Sequence, residues 1–128
     1  METSNYKIIF VGITISEFRN NGNNPTLKKL EKWYDYLNLK YVSFSNLFIK
    51  PKVINKRLLQ ELKNYDKIVA LGHLVSDTLN KLSIDHFRIS HPSPLNVMLN
   101  DPDYEYSMLE GCRQYLYESN HKPTLQAS

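Results

Sequence analysis

Continuous apolar runs, separated by longer amphipathic segments, restrict the fold of this chain more than any single motif does. "YKIIFVGI" (6–13) and "DKIVALG" (66–72) are largely apolar and contain several β-branched residues. The first run is typical of a strand that is buried on both faces of a parallel sheet, and the second predicts another strand. "KYVSFSNLF" (40–48) and "DHFRIS" (85–90) predict two further strands.

The intervening and following segments have helical periodicity. Pro25 opens "PTLKKLEKWYDYLNL", in which apolar residues recur every three or four positions. Three more helices are predicted at 55–65, 73–82 and 103–119. Strands that alternate with helices favour right-handed crossovers and a parallel sheet. We therefore predict an α/β fold with three αβα layers and about four mainly parallel strands, in a single domain over residues 1–128.

The composition limits the class of protein. The 128 residues carry a formal net charge of +3, which permits a local phosphate-binding surface without requiring one. Cys112 is the only cysteine, so neither an intrachain disulfide nor a metal site built on several thiolates can form. We find no signal-peptide pattern and no apolar segment of membrane-spanning length. We therefore expect an intracellular protein that uses no metal or cofactor and does not contact a membrane.

Short polar residues follow the predicted strands at one edge of the sheet. The segment "GITIS" after the first strand supplies Thr14 and Ser16, and the second strand ends with Asn46. His91 follows the fourth strand, and Gly72 ends the third. Because open α/β sheets bind ligands beyond the carboxyl ends of their strands, these groups predict a site for a small planar ligand.

The stretch "ISHPSPLN" (89–96) is unusually rigid for a segment that leaves a strand. Pro92 and Pro94 fix the backbone dihedral φ on both sides of Ser93 and remove two amide donors. By itself this pattern also fits a simple turn with a capping histidine. The positions of the other strand ends favour a functional loop instead.

These features together resemble the uracil-DNA glycosylase superfamily. The resemblance consists of a first strand that ends in glycine, an asparagine that ends the second strand, "IVALGHLVSDTL" and "HPSPLN", and it covers about residues 6–96. It implies that His91 donates a hydrogen bond to the base oxygen that gains charge as the glycosidic bond breaks. It also implies that Asn46 reads the edge of a flipped pyrimidine, near Gly12 and Ser16.

The same resemblance assigns the proline-rich loop to DNA. The segment Pro92, Ser93 and Pro94 would pinch phosphates, and Leu95, followed by Asn96, would wedge into the base stack. An extruded base requires such a wedge, because unstacking costs a few kcal/mol. A leucine folded back onto the core is the alternative interpretation of Leu95. Phe18, just after the first motif, is a candidate to stack on a base.

The first motif departs from the family pattern. Thr14 stands where "GINPG"-type members have asparagine, and the proline and second glycine are missing. A threonine hydroxyl can orient water but cannot act as a carboxylate base. Two other functions are alternatives to base excision. One is modification of an activated thymine, as in some virus-encoded relatives, which would act in the cytoplasm or nucleus of a host cell. The other is binding of DNA or protein without catalysis.

Basic residues form two groups that could line a phosphate-facing rim. One group runs from Lys50 to Arg57, and the other comprises Lys28, Lys29 and Lys32. Solvated helix faces have the same pattern, so the sequence leaves both interpretations open.

Overall fold

The computed structural model describes residues 7–13, 25–50, 52–93 and 96–118. Its main sheet has four strands: β1 (Ile8–Gly12), β2 (Ser43–Asn46), β5 (Lys67–Leu71) and β6 (Phe87–Ile89). Their order across the sheet is β2-β1-β5-β6, and every pairing is parallel. The four-stranded parallel sheet predicted from the apolar runs is therefore confirmed.

The two strands with continuous apolar runs are the central strands. Every residue of β1 and β5 is buried, because each has a strand on both sides and helices on both faces. The edge strands β2 and β6 are only partly buried. Continuous hydrophobicity in the sequence thus marks position in the middle of the sheet.

Four helices cover the sheet: α1 (Pro25–Tyr36), α2 (Lys56–Glu61), α3 (His73–Lys81) and α4 (Pro102–Tyr117). Helices α1 and α4 bury Trp33 and Leu116 on one face, together with Phe10 of β1. Helices α2 and α3 cover the other face, where Leu58 and Leu79 pack. The structure therefore has the predicted three αβα layers.

Helices α1 and α4 are also joined by polar contacts. The indole Nε1 of Trp33 donates to Glu105 Oε2 at 2.7 Å, and Lys29 Nζ lies 3.3 Å from the same carboxylate oxygen. Cys112 is fully buried between these helices and the sheet, and burial raises the pKa of its thiol to about 12. The thiol is thus a packing group.

The second predicted strand (40–48) is wrong in its extent. The strand β2 covers only Ser43–Asn46, and after Leu47 the chain forms an antiparallel hairpin of β3 (Phe48–Lys50) and β4 (Val53–Ile54). The hairpin stays attached because Leu47 N donates to Gly12 O at 2.8 Å. Two short 3-10 helices, Leu62–Asn64 and Val97–Asn100, extend α2 and precede α4.

Candidate functional site at the carboxyl edge of the sheet

The two central strands send the chain to opposite faces of the sheet. In chain order β1 leads to α1 on one face, and the adjacent strand β5 leads to α3 on the other. Such a switch point opens a crevice beyond the carboxyl ends of the strands, where open α/β sheets bind ligands. In this protein the switch point lies between Gly12 and Gly72, and neither glycine places a side chain there.

Asn46 occupies one side of this switch point. It ends β2, is paired with Gly12 of β1 and, by strand alternation, faces the same side of the sheet as Phe44. Its Oδ1 atom is buried and has no hydrogen-bond partner among the described residues. An unpaired buried acceptor costs about 1–3 kcal/mol, so an atom of this kind requires an explanation.

The close approach of Phe44 to β1 explains why Gly12 has no side chain. A Cβ atom on Gly12 would lie 2.9 Å from Phe44 Cζ and 3.5 Å from Asn46 Oδ1. The aromatic ring therefore lies against the glycine, next to the unpaired amide oxygen. Sequence reasoning did not single out Phe44, although its place two residues before Asn46 put both side chains on one face of β2.

A second unpaired polar atom lies on the same face of the sheet. The Tyr34 hydroxyl of α1 is buried without a partner among the described residues, and the edge of its ring contacts Phe10 at a centroid distance of 5.0 Å. Burial, reinforced by the negative charge of Glu31, raises the pKa of Tyr34. This phenol is therefore a neutral hydroxyl in the folded protein.

His91 occupies the other side of the switch point, against Gly72. A Cβ atom on Gly72 would lie 3.5 Å from His91 Cβ and 3.9 Å from His91 Cδ2. Gly72 has φ 94° and ψ 165°, a conformation that is essentially restricted to glycine. Its N–H donates to Ile89 O at 2.8 Å, which fastens the end of β6 to β5. These contacts fix the position of the His91 backbone and Cβ, from which the half-buried imidazole extends.

The loop after β6 is held by its own hydrogen bonds as well as by its prolines. Asn96 donates from Nδ2 to His91 O at 3.2 Å, and its Oδ1 accepts from Met98 N at 3.1 Å. The Asn96 backbone N–H donates to Ser93 O at 3.0 Å. Pro92 within this loop is buried. The amide of Asn96, predicted from the resemblance to contact DNA, is thus engaged in bonds that shape the loop.

Helix α4 supports the same loop from below. Ser90, the residue before His91, donates its backbone N–H to Met108 Sδ at 3.3 Å. The Ser90 hydroxyl is hydrogen-bonded to the Tyr104 hydroxyl. These contacts fix the strand end from which His91 projects, and no local sequence pattern predicts them.

Asn46 and His91 share the carboxyl edge but do not lie on neighbouring strands. They end or follow β2 and β6, and β1 and β5 lie between them. Three strand spacings separate the backbones at these positions by about 14 Å. A ligand that contacts both residues must therefore lie across the glycine-ended central strands.

Five predicted site residues lie outside the described part of the chain: Thr14, Ser16, Phe18, Pro94 and Leu95. Their flanking residues are described. The backbone oxygen of Ile13, just before Thr14, accepts from Phe48 N at 3.3 Å. The first motif thus leaves the sheet next to the β3–β4 hairpin.

A second histidine, His86, is held by hydrogen bonds within the protein. The Ser76 hydroxyl lies 2.7 Å from His86 Nε2, and His86 Nδ1 lies 2.8 Å from Ile84 O. The carbonyl requires a proton on Nδ1, so Nε2 accepts from Ser76. The described residues also bear on metal binding and membrane crossing. Within the described ranges no group of three or more histidine, cysteine or acidic side chains is arranged to hold a metal ion. None of the helices described there could cross a membrane.

Comparisons with known proteins add no relative to this description. No protein-family model, curated protein or solved structure matches the chain. The functional interpretation therefore depends on the residues at the carboxyl edge and on the fold that positions them.

Proposed function

We propose that this protein is a DNA base-processing enzyme of the uracil-DNA glycosylase superfamily, which flips a pyrimidine out of DNA and cleaves its N-glycosidic bond. The observation that carries this proposal is the buried Asn46 Oδ1, which lacks a hydrogen-bond partner in the described part of the chain. A flipped uracil or thymine presents an N3–H donor beside a carbonyl oxygen. An asparagine amide can accept from the first and donate to the second, so such a base would satisfy this atom.

The proposed role of His91 follows from the charge that develops during hydrolysis. When the bond between the sugar C1′ and the base nitrogen breaks, the electron pair stays on the base, and its carbonyl oxygen becomes more negative. The oxygen of a water molecule forms the new bond to C1′. An imidazole N–H held against Gly72 would stabilise the departing base. Fixed donors of this kind contribute on the order of 100-fold to 1000-fold to a rate.

The loop after His91 is proposed to hold the DNA. The buried Pro92 and the hydrogen bond from Asn96 N to Ser93 O support a stiff backbone around Ser93, where amide groups can approach a phosphate closely. Leu95 is proposed as the wedge that fills the space left by the flipped nucleotide. This arrangement would offset part of the cost of unstacking the base.

Base modification is the second candidate, and Thr14 favours it. Where "GINPG"-type members have asparagine this chain has a hydroxyl, which cannot provide a carboxylate to activate water. An enzyme that replaces an activated group on a flipped thymine needs the pocket but not the hydrolytic water. The Asn46 and His91 positions serve either reaction.

Mass spectrometry after incubation with defined DNA distinguishes the two reactions. The substrates are duplexes that carry uracil, 5-hydroxymethyluracil or an activated thymine derivative. Released base supports excision, and a mass gain on intact DNA supports modification. Thr14→Asn should raise uracil release if water is the nucleophile and should give no gain if it is not. Absence of both products in the presence of DNA binding would contradict an enzymatic function.

His91→Ala tests the proposed catalytic donor. We expect the activation barrier of base release to rise by about 3–4 kcal/mol, so the single-turnover rate constant should fall. The melting temperature should change little. His86→Ala is the matched control, because it removes a histidine that bonds to Ser76 and Ile84 instead of lying against Gly72. The control should lower stability and leave the rate per folded molecule unchanged. Equal rate losses in both variants would contradict the assignment of His91.

A further inference from the structure

Four exposed cations cluster on the β3–β4 hairpin and the first turn of α2. We call them the hairpin cations: Lys50, Lys52, Lys56 and Arg57. From Leu47 to Gln60 the sequence contains no aspartate or glutamate. This segment is therefore locally basic on a chain whose net charge is only +3, and the first acidic residue after it is Glu61 at the end of α2.

The hairpin cations differ in their pairing from Lys29 of α1 and Arg113 of α4. Lys29 lies 3.3 Å from Glu105, and Arg113 lies 3.4 Å from Glu110. By contrast, none of the hairpin cations forms an ion pair within the described residues. The charges of Lys29 and Arg113 are thus each offset by a neighbouring carboxylate, whereas the hairpin cations have no carboxylate within ion-pair distance in the described ranges.

The hairpin is a fixed extension of the candidate site. Its first residue, Phe48, donates its N–H to Ile13 O at 3.3 Å, and Asn55 N donates to Leu47 O at 2.7 Å where the hairpin ends. Phe48 and Ile54 are paired across the hairpin and pack against the core under α2 and α3. Lys50 follows Asn46 by only four residues, which at strand geometry is about 13 Å.

The hairpin also exposes two apolar side chains. Ile49 is 63% exposed and Val53 is 37% exposed, although both belong to strands. Lys52 adopts φ 64°, a left-handed conformation in which glycine or asparagine would be less strained. A lysine in this turn is therefore not explained by backbone preference. Alternating cationic and apolar groups match the phosphates and sugars of a nucleic-acid strand.

We infer that the β3–β4 hairpin, with the start of α2, is a binding surface for the sugar–phosphate backbone of DNA beside the nucleotide that enters the site. The inference rests on the proposed function for its choice of DNA as the polyanion. It adds a contact surface on the β2 side of the switch point, opposite the proline-rich loop after β6. DNA would then be held from both edges of the sheet.

The test compares two variants of the full chain with equal net charge. One variant carries Lys50→Gln, Lys52→Gln, Lys56→Gln and Arg57→Gln. The control carries Lys7→Gln, Lys40→Gln, Lys63→Gln and Lys81→Gln, which are exposed lysines at the amino edge of the sheet. Each variant loses four positive charges, so the formal net charge changes from +3 to −1 in both. Only the location of the lost charges differs.

The measurement is fluorescence anisotropy of a labelled, undamaged duplex titrated with each protein between about 50 and 200 mM salt. We expect the hairpin variant to bind more than about 10-fold more weakly at the lower salt, with a salt slope reduced by about 3 to 4. The amino-edge variant should stay close to wild type in both quantities. Equal losses in the two variants, or no loss in the hairpin variant, would overturn the inference.

Two further comparisons keep the result interpretable. The single variants Lys50→Gln and Arg57→Gln should each reduce the slope by about 1, which tests the inference even if the fourfold variant folds poorly. If the hairpin variant loses binding to phosphatidylserine vesicles but retains DNA binding, the inference would also be overturned, in favour of a membrane-binding surface. Binding is measured on undamaged DNA and base release on the separate duplexes that carry uracil or a modified base, so hairpin-dependent binding without any release from those duplexes would contradict the glycosylase proposal alone. Base release with hairpin-independent binding would contradict this inference alone.

Discussion

Asn46 and Asn96 lie at opposite sides of the same edge of the sheet, and the structure uses their amides in opposite ways. Asn96 forms a hydrogen bond through each side-chain polar group, to His91 O and from Met98 N. Asn46 Oδ1 is buried without a partner in the described part of the chain. One amide thus contributes to the structure of the loop, and the other has an acceptor that no described group satisfies.

The same contrast extends to the surroundings of the two residues. On the β6 side, Ser90 is bonded to Tyr104 and Met108, so α4 fixes the loop from within the protein. On the β2 side, Gly12 and the ring of Phe44 bring strands β1 and β2 close together beside the unpaired oxygen. Rigidity thus belongs to the side that would press on DNA, and unsatisfied polarity to the side that would read the base.

Asn46→Ala should have the largest effect on the reaction among the substitutions that test the difference between Asn46 and Asn96. We expect kcat/KM for base release or modification to fall about 10- to 100-fold, since the variant loses the groups that would pair with the base. Stability should stay the same or rise, because the alanine removes a buried acceptor that lacks a partner. Thermal unfolding and single-turnover kinetics of the same preparation provide both numbers. A clear loss of stability would show that Asn46 is a structural residue.

Gly72→Ala tests the position of the histidine on the other side. The alanine would be strained at φ 94°, and its Cβ would meet the side chain of His91 at 3.5 Å. We expect a loss of about 1–3 kcal/mol in the free energy of unfolding, together with a lower rate per folded molecule. Urea denaturation and active-site titration measure the two effects. A fully stable variant with a normal rate would contradict the fixed placement of His91.

Asn96→Ala should have the smallest effect and the opposite character from Asn46→Ala. It removes the cap of the Val97–Asn100 helix and the bond to His91 O, so unfolding free energy should fall by about 1–2 kcal/mol. The rate constant for reaction on single-stranded DNA should stay close to that of the wild type, because no side-chain group that reads the base is lost. If the reaction falls as far as in Asn46→Ala while stability is retained, Asn96 contacts the substrate directly.

Much of the fold was predictable because the relevant signals are local. The apolar runs at 6–13 and 66–72 predicted two strands of the parallel sheet, and helical spacing predicted α1 and α4 within a few residues. The hairpin was not predicted, because "IKPKVINKR" contains short strands interrupted by a proline and charged residues. Its pairing depends on Phe48 and Ile54, which pack on a core contributed by distant segments.

The candidate site was predictable in part for the same reason. The ends of the strands identified Gly12, Asn46, Gly72 and His91 as residues of one edge. No sequence pattern distinguished Lys29, which pairs with Glu105 76 positions away, from Lys50, which forms no ion pair in the described ranges. Charge pairing between remote segments depends on how the helices meet, and that information is not local.

The sequence by itself determined the alternation of strands and helices, the glycine ends of the central strands and the rigid histidine loop, since each depends on backbone preferences and hydrophobic periodicity within a short window. Only the tertiary structure decided the strand order that separates Asn46 from His91 by two glycine-ended strands. It also decided which asparagine is satisfied and which cations remain unpaired. Hydrogen bonds and ion pairs between distant segments form only once packing has fixed which groups meet.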